Sequence, residues 1–255
     1  MRFVAIIPAR LASTRLARKA LRQIAGKSMV ARVYEAVAAS KSVSEAVVAT
    51  DAAEIMEHCR QHGIPARLTS TEHRSGTDRV HEVAASLAAD VYINVQGDEP
   101  LTRPEHLDLL VSLMRQPGVE VGTLKTVCAA ADIANPNAVK VVCDAAGRAL
   151  YFSRSTIPFD RDRGGQPNPA TSAAVAGGVP YFKHLGFYAY RKAALERFCS
   201  WPESPLERVE RLEQLRFLEN GIAIQVAETP FDTVGVDTEE DLQRVERIIL
   251  GQQTR

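Results

Sequence analysis

Short apolar runs alternate with amphipathic stretches of about ten residues along the first half of the chain, and that alternation limits what it can fold into. Phe3–Pro8 is a continuous apolar run and reads as a buried strand. Ser28–Ser40 reads as a helix, with Met29, Val30, Val33 and Val37 on one face. A strand over Glu45–Thr50, a helix over Ala52–His62 that stops at Gly63, and a short strand over Ala66–Thr69 follow. Thr77–Ala88 is helical, with Val80, Val83, Ala84 and Leu87 in register; Val91–Val95 is a strand, Pro104–Arg115 a helix opening on proline, and Val121–Val127 a strand. Strands separated by helices give right-handed βαβ units and a mostly parallel sheet.

After residue 135 the pattern changes. Ala138–Asp144 and Arg148–Ser153 are strand-like and flank Ala145-Ala146-Gly147, a hairpin signal. Phe187–Tyr190 is a further strand, so this part is antiparallel or mixed. A helix over Glu207–Asn220 closed by Gly221, a strand over Ala223–Ala227 and a helix over Glu239–Leu250 complete the chain. Residues 160–180, rich in Gly, Pro and small residues, form a long loop of the kind that is functional or disordered, and a lid is one reading of it. There are no repeats and no linker, so the 255 residues read as one domain with an inserted subregion, divided as 1–130, 131–235 and 236–255.

The 31 basic and 31 acidic residues cancel, which argues against a nucleic-acid binder. No apolar stretch approaches the ~20 residues of a membrane span, and the start does not read as a signal peptide. Cys59, Cys128, Cys143 and Cys199 are scattered without a CxxC pair; they read as small buried hydrophobes in a reducing cytoplasm.

Against that neutral background, the loop after the first strand is a concentrated field: Arg10, Arg15, Arg18 and Lys19, with Ser13 and Thr14. Ligands of open α/β sheets bind outside the carboxyl ends of strands, and Arg and Lys answer phosphate charge with forked and point-like donors. The segment matches neither GxxxxGK[ST] nor GxGxxG. A solvated basic loop is the plain alternative. Gln96-Gly97-Asp98-Glu99-Pro100 follows the fourth strand, where Asp98 is placed to hold Mg²⁺ and Gly97 to let a ligand approach the backbone, or where a Gly-Asp turn suffices. Thr238 and Asp241 form a capping box that leaves Asp237 one position outside the last helix as a second carboxylate, unless Asp237 itself caps. His73-Arg74-Ser75-Gly76-Thr77 enters a helix with free N–H groups and hydroxyls on which a base or ribose can dock; a cap by Thr77 is equally compatible. His58 and His62 lack a third metal ligand, and no GxSxG or Cys-His nucleophile is evident.

Taken together, IIPARLASTRL, VVATD, HRSGTDRV, INVQGDEP, NPNAVKVV, ALYFSRSTIPFDRDR, KHLGFYAYR, SPLERVERLEQLR and VGVDTEEDL resemble, in order, the 3-deoxy-manno-octulosonate cytidylyltransferases. The chain departs from that family at Leu16-Ala-Arg-Lys-Ala-Leu21, where the family usually reads Leu-Pro-Gly-Lys-Pro-Leu, and at Gly26-Lys-Ser-Met29, usually Gly-Lys-Pro-Met. The resemblance implies the nucleotide-diphospho-sugar transferase-like three-layer α/β sandwich with a mostly parallel sheet and a smaller antiparallel subregion, as a homodimer in the cytoplasm. It implies transfer of CMP from CTP to 3-deoxy-manno-octulosonate (Kdo), releasing pyrophosphate, with Mg²⁺, for lipopolysaccharide core synthesis. A cytidylyltransferase for 8-amino-Kdo or a sialic acid is the nearest alternative. It further implies that Arg10, Ser13, Arg15 and Lys19 hold the phosphates. Asp98 and Asp237 would hold the metal, and Arg74, Ser75, Gly76 and Gln96 would frame cytosine and ribose. Arg154, His184, Tyr188, Glu210 and Gln214 would bind the sugar.

Overall fold

A computed structural model describes residues 1–11, 16–73, 75–161 and 180–253. Ser13, Arg15, Arg74 and most of the 160–180 segment lie outside the described residues. The chain gathers into two compact units, the first from Met1–Val111, Phe187–Cys199 and Thr233–Arg255, the second from Ser112–Gly186 and Ser200–Asp232. This partition differs from a division in chain order because two later stretches return to the first unit.

In the first unit, β1 (Phe3–Ala9) is buried at every position, as its apolar sequence requires. It runs parallel to β4 (Glu45–Thr50) and β6 (Val91–Val95), and β4 runs parallel to β5 (Ala66–Leu68). The order β6-β1-β4-β5 means that the chain winds outward from β1 on one side and then returns to its other side. The switch therefore falls between β1 and β6, where ligands of open α/β sheets enter beyond the strand ends. The loops leaving those ends are the basic segment and Gln96-Gly97-Asp98. The second half of β10 (Phe182–Arg191) lies antiparallel to β6, pairing Phe187 through Arg191 with Val95 through Val91.

Helix α1 (Met29–Ala38) is capped by Ser28, which accepts from Ala31, and buries Met29, Val30, Val33 and Val37. Each such side chain contributes about 1.5–3 kcal/mol when taken from water. Helix α2 (Ala53–Gln61) buries Ile55 and Cys59, and α3 (Gly76–Ser86) buries Val80 and Val83. A small hairpin, β2 (Gln23–Ile24) and β3 (Lys27–Ser28), turns through Ala25 and Gly26, both at positive φ. Such a turn is commonly announced by Asn-Gly, and here Ala-Gly hides it. The C-terminal helix α9 (Glu239–Gln253) lays Leu242, Val245 and Ile249 against Leu16, Ile24, Met29 and Val236. Arg22 bonds Glu239 at 2.7 and 2.8 Å, and Glu246 accepts from the Ala25 N–H at 2.7 Å. The C-terminus of the chain is thereby fastened to the flank of the basic loop.

In the second unit, β7 (Val121–Val127) pairs in parallel with β11 (Ile224–Glu228) and neighbours β10. The expected hairpin is present as β8 (Lys140–Cys143) and β9 (Ala149–Ser153), closed by an Asp144–Arg148 turn with Gly147 at φ 77°. The single helix expected over Glu207–Asn220 is two: α7 (Pro205–Glu210) and α8 (Leu215–Glu219), separated where Arg211 takes the left-handed conformation at φ 55°. Nothing in the apolar spacing marks that break, because Leu212 and Leu215 continue the periodic pattern. The remaining helices are α4 (Pro104–Met114), the short α5 (Ala130–Ile133) and α6 (Lys192–Ser200), the last belonging to the first unit except for Ser200. The expected α/β class with a mostly parallel mixed sheet is the one observed. No helix among the described residues is long and apolar enough to cross a membrane.

Candidate active site

The end of β1 is pressed against the turn that follows β6. A Cβ on Gly97 would stand 2.5 Å from the Pro8 carbonyl oxygen, so no other residue fits there without a backbone shift. The sequence suggested that Gly97 admits a ligand to the backbone; what it admits is the chain's own strand end. Gly76 is different, since a Cβ there would meet Gln96 and Pro8 only at ordinary contact distances.

The close packing at Gly97 sets Asp98 beside the last segment of the unit. The Asp98 carbonyl accepts from the Val236 N–H at 3.0 Å, and Asp237 follows directly. The capping box forms as expected. Thr238 Oγ1 accepts from the Asp241 N–H at 3.2 Å, and Asp241 Oδ2 accepts from the Thr238 N–H at 2.9 Å. Thr238, not Asp237, therefore closes the helix end. The Asp237 carboxylate turns to Lys19, whose Nζ donates to Asp98 Oδ2 at 2.6 Å and to Asp237 Oδ1 at 2.9 Å. Burial lowers the pKa of this ammonium, but the charges and hydrogen bonds of Asp98 and then Asp237 outweigh it, so its pKa is raised. Two carboxylates from distant segments thus converge on one cation. That donor set fits a hard divalent ion, which takes one or two carboxylates and fills its other positions with water and phosphate oxygens. Among the described residues, no group of three or more His, Cys, Asp or Glu could hold a metal, so a closed protein cage is not formed.

Lys19 reaches this position from a backbone with an unusual start. Arg18 sits at φ 56°, ψ 34°, the left-handed region, and its side chain pairs with Glu54. This is the position at which the resemblance expects glycine, and the geometry gives the reason for that expectation. Arg10 donates to the His73 carbonyl at 3.1 Å, tying the basic loop to the entrance of α3. Ser75 is the cap of α3, in a reciprocal box with Asp78 at 3.1 Å in both directions, so the cap is two positions earlier than Thr77. Gln96 donates to Asn94 Oδ1 at 3.4 Å. Asn94 is buried, and its Nδ2 has no hydrogen-bond partner among the described residues. Tyr188 lies opposite Asn94 across β10 and β6 and stacks on Tyr190 with centroids 5.8 Å apart.

The other predicted sugar residues lie in the second unit. Arg154 donates through Nε to the Glu210 carbonyl at 2.7 Å, and through its terminal nitrogens to the carbonyls of Pro136 at 3.0 Å and Arg211 at 3.3 Å. The break at Arg211 turns two of these carbonyls toward the guanidinium. The Glu210 carboxylate accepts from Ser153 Oγ at 2.6 Å and from the Arg154 N–H at 3.0 Å. Among the described residues, three of the five guanidinium N–H groups are spent on carbonyls, which leaves one on each terminal nitrogen. Gln214 is buried at the start of α8. His184 is buried, hydrogen-bonds Thr123 Oγ1 at 2.9 Å and meets the edge of Phe152. Burial pushes its pKa down to about 3, so it is a neutral hydrogen-bonding group rather than a cation for an acid.

His58 bonds Ser28 Oγ at 2.7 Å, and His62 bonds the His58 carbonyl at 2.8 Å. None of the four cysteines forms a disulfide; Cys59 and Cys128 are buried, whereas Cys143 and Cys199 are half-buried. Sequence reasoning passed over Asn94 and the Arg79–Asp51 ion pair at 2.7 Å, although a polar residue inside the apolar run 91–95 was a readable signal.

The family model for cytidylyltransferases matches residues 4–225. A 3-deoxy-manno-octulosonate cytidylyltransferase of Koribacter versatilis is 64% identical over 96% of this chain and 89% of its own. The chain belongs to the 3-deoxy-manno-octulosonate cytidylyltransferase family. The family relative from Geobacter sulfurreducens is 47% identical over 96% of this chain and 98% of its own. A structure of a CMP:2-keto-3-deoxy-manno-octonic acid synthetase complexed with CTP matches at 40% identity and a TM-score of 0.90, over 99% of this chain and all of that one. A cytidylyltransferase from Leptospira borgpetersenii, 19% identical with a TM-score of 0.61 over 98% of this chain and 87% of that one, shares the fold.

Proposed function

We propose that this chain transfers CMP from CTP to Kdo, giving CMP-Kdo and pyrophosphate. The observation that carries the reading is the convergence of Asp98 and Asp237 on Lys19 beyond the β1–β6 switch point. Family membership supports the substrate pair. The anomeric hydroxyl of the sugar attacks the α-phosphorus; the new O–P bond forms as the bond to pyrophosphate breaks, and the hydroxyl proton is released. No protein nucleophile is needed. The residues act by positioning and by stabilising charge.

Asp98 and Asp237 would hold Mg²⁺, which supplies neutralisation of phosphate charge. Lys19 and Arg10, with Ser13 and Arg15, hold the phosphates. Ser75, Gly76 and Gln96, with Arg74, frame the base and ribose. In the second unit, the two remaining Arg154 donors suit a sugar carboxylate. Glu210, Gln214 and neutral His184 of that unit suit hydroxyls, and Tyr188 of the first unit carries a phenol able to bond a hydroxyl. A cytoplasmic location agrees with four cysteines outside any disulfide. A second copy of the chain is the proposed partner, which light scattering of the purified protein tests.

Asp98→Asn tests the metal assignment. It keeps size and hydrogen bonding but removes a charge, and turnover should fall by about 100-fold or more with the fold intact. Near-normal turnover with Mg²⁺ would sink the assignment.

A further inference from the structure

We infer that Lys140 is a positioning residue for Arg154, holding the turn whose carbonyl orients the guanidinium. This rests on the reading of Arg154 as the group that takes the sugar's carboxylate. Lys140 is 0% exposed, and burying an ammonium is costly unless something is gained. Its Nζ meets two backbone carbonyls, Asn135 O at 2.7 Å and Ala138 O at 2.6 Å. These bracket a single turn, closed by the Ala138 N–H on the Asn135 carbonyl at 3.2 Å and by the Asn137 N–H on Asn135 Oδ1 at 2.9 Å. Between the two bracketed carbonyls lies that of Pro136, which accepts from the Arg154 guanidinium at 3.0 Å.

The strands make the same connection. Lys140 of β8 stands directly opposite Ser153 of β9, the residue before Arg154, and Ser153 Oγ donates to Glu210. The ammonium therefore holds the turn in front of Arg154, while the backbone of the same residue, through the strand pair, stands beside the segment that leads into Arg154. Burial lowers the Lys140 pKa, and the Arg154 charge lowers it further, while Cys128, Asp132 and Glu210 act the other way. A buried methionine would fill a similar volume without the desolvation cost, but it would leave the Asn135 and Ala138 carbonyls without this donor. The stretch NPNAVKVV, which carries part of the family resemblance without an assigned role, thus acquires one: Asn135 to Ala138 form the turn, and Lys140 ties it.

The experiment is steady-state kinetics on the purified chain with CTP, Kdo and Mg²⁺, varying each substrate, for Lys140→Met, Arg154→Ala and the double variant, with a thermal melt of each. Lys140→Met should raise the KM for Kdo about tenfold, the loss of roughly one charge-assisted hydrogen bond, and leave the KM for CTP within about twofold. In the Arg154→Ala background it should add little, because the two act through one group. Lys140→Gln, which keeps donors, should give a smaller rise. An unchanged Kdo KM in Lys140→Met alongside a raised one in Arg154→Ala overturns the inference while leaving the role of Arg154 standing. Additive losses in the double variant, or equal rises in both KM values, also overturn it. An unchanged Kdo KM in Arg154→Ala refutes the underlying reading instead. Should Lys140→Met fail to fold, Lys140→Gln carries the test, with a rise of about threefold expected and none overturning it.

Discussion

Lys19→Met isolates the charge arrangement at the strand switch. The substitution removes two bonds, at 2.6 and 2.9 Å, and leaves Asp98 and Asp237 facing each other. The Lys19 side chain is 17% exposed, whereas Asp98 and Asp237 keep 34% and 44%. Hydrogen bonds to charged groups contribute about 1.5–3 kcal/mol, and fully exposed ion pairs about 0.2–1 kcal/mol. An intermediate value of about 1 kcal/mol per bond gives a loss of about 2 kcal/mol, or a melting temperature lower by roughly 4–8 °C for a chain of this size. Mg²⁺ should return part of that loss. A carboxylate pair half-filled at about 1 mM ion gains about 1.4 kcal/mol at about 10 mM by mass action. In the wild-type chain the ion must first displace Lys19, so it gains less. The assay is thermal unfolding of both proteins with MgCl₂ and with NaCl of matched ionic strength, which removes screening from the comparison. A variant that melts with the wild type, or gains no more from Mg²⁺ than the wild type does, refutes the reasoning.

Two further outcomes follow from the same segment. The Lys19 pKa is raised by folding, so its contribution to stability is fully present below the unfolded value of 10.5 and is lost as pH rises through the folded value. Melting temperatures of wild type and Lys19→Met should therefore converge above about pH 10.5, and a constant gap across that range would count against the pair. Arg18→Gly should be neutral or stabilising by up to about 1 kcal/mol in a denaturant titration, because the left-handed backbone costs a non-glycine residue about 1–2 kcal/mol. The usual penalty of about 0.5–1 kcal/mol for introducing glycine would show that the strain is absent.

The parts of the fold set by periodicity were legible in the sequence. Phe3–Ala9 is apolar throughout, and Val91–Val95 at every position but Asn94, because both are central strands, and the switch between them follows from their order. Thr238 and Asp241 cap as their spacing required, which left Asp237 to turn elsewhere. What escaped was backbone conformation that no side-chain pattern encodes. Arg211 and Ala25 adopt positive φ without being glycine, so the break between α7 and α8 and the β2–β3 turn carried no signal. Long-range packing escaped as well: the Gly97–Pro8 contact and the burial that makes His184 neutral join residues far apart in the chain. The pairing of Lys19 with both carboxylates belongs to the same class, since each residue was identified by its own motif and their meeting is a property of the fold.

The most direct test of the account is pyrophosphate release by the purified chain from CTP and Mg²⁺, with Kdo, 8-amino-Kdo or a sialic acid as the second substrate. Release should depend on Kdo and on Mg²⁺ and be fastest with Kdo. No release with any of the three, or faster release with another acid sugar than with Kdo, would contradict it.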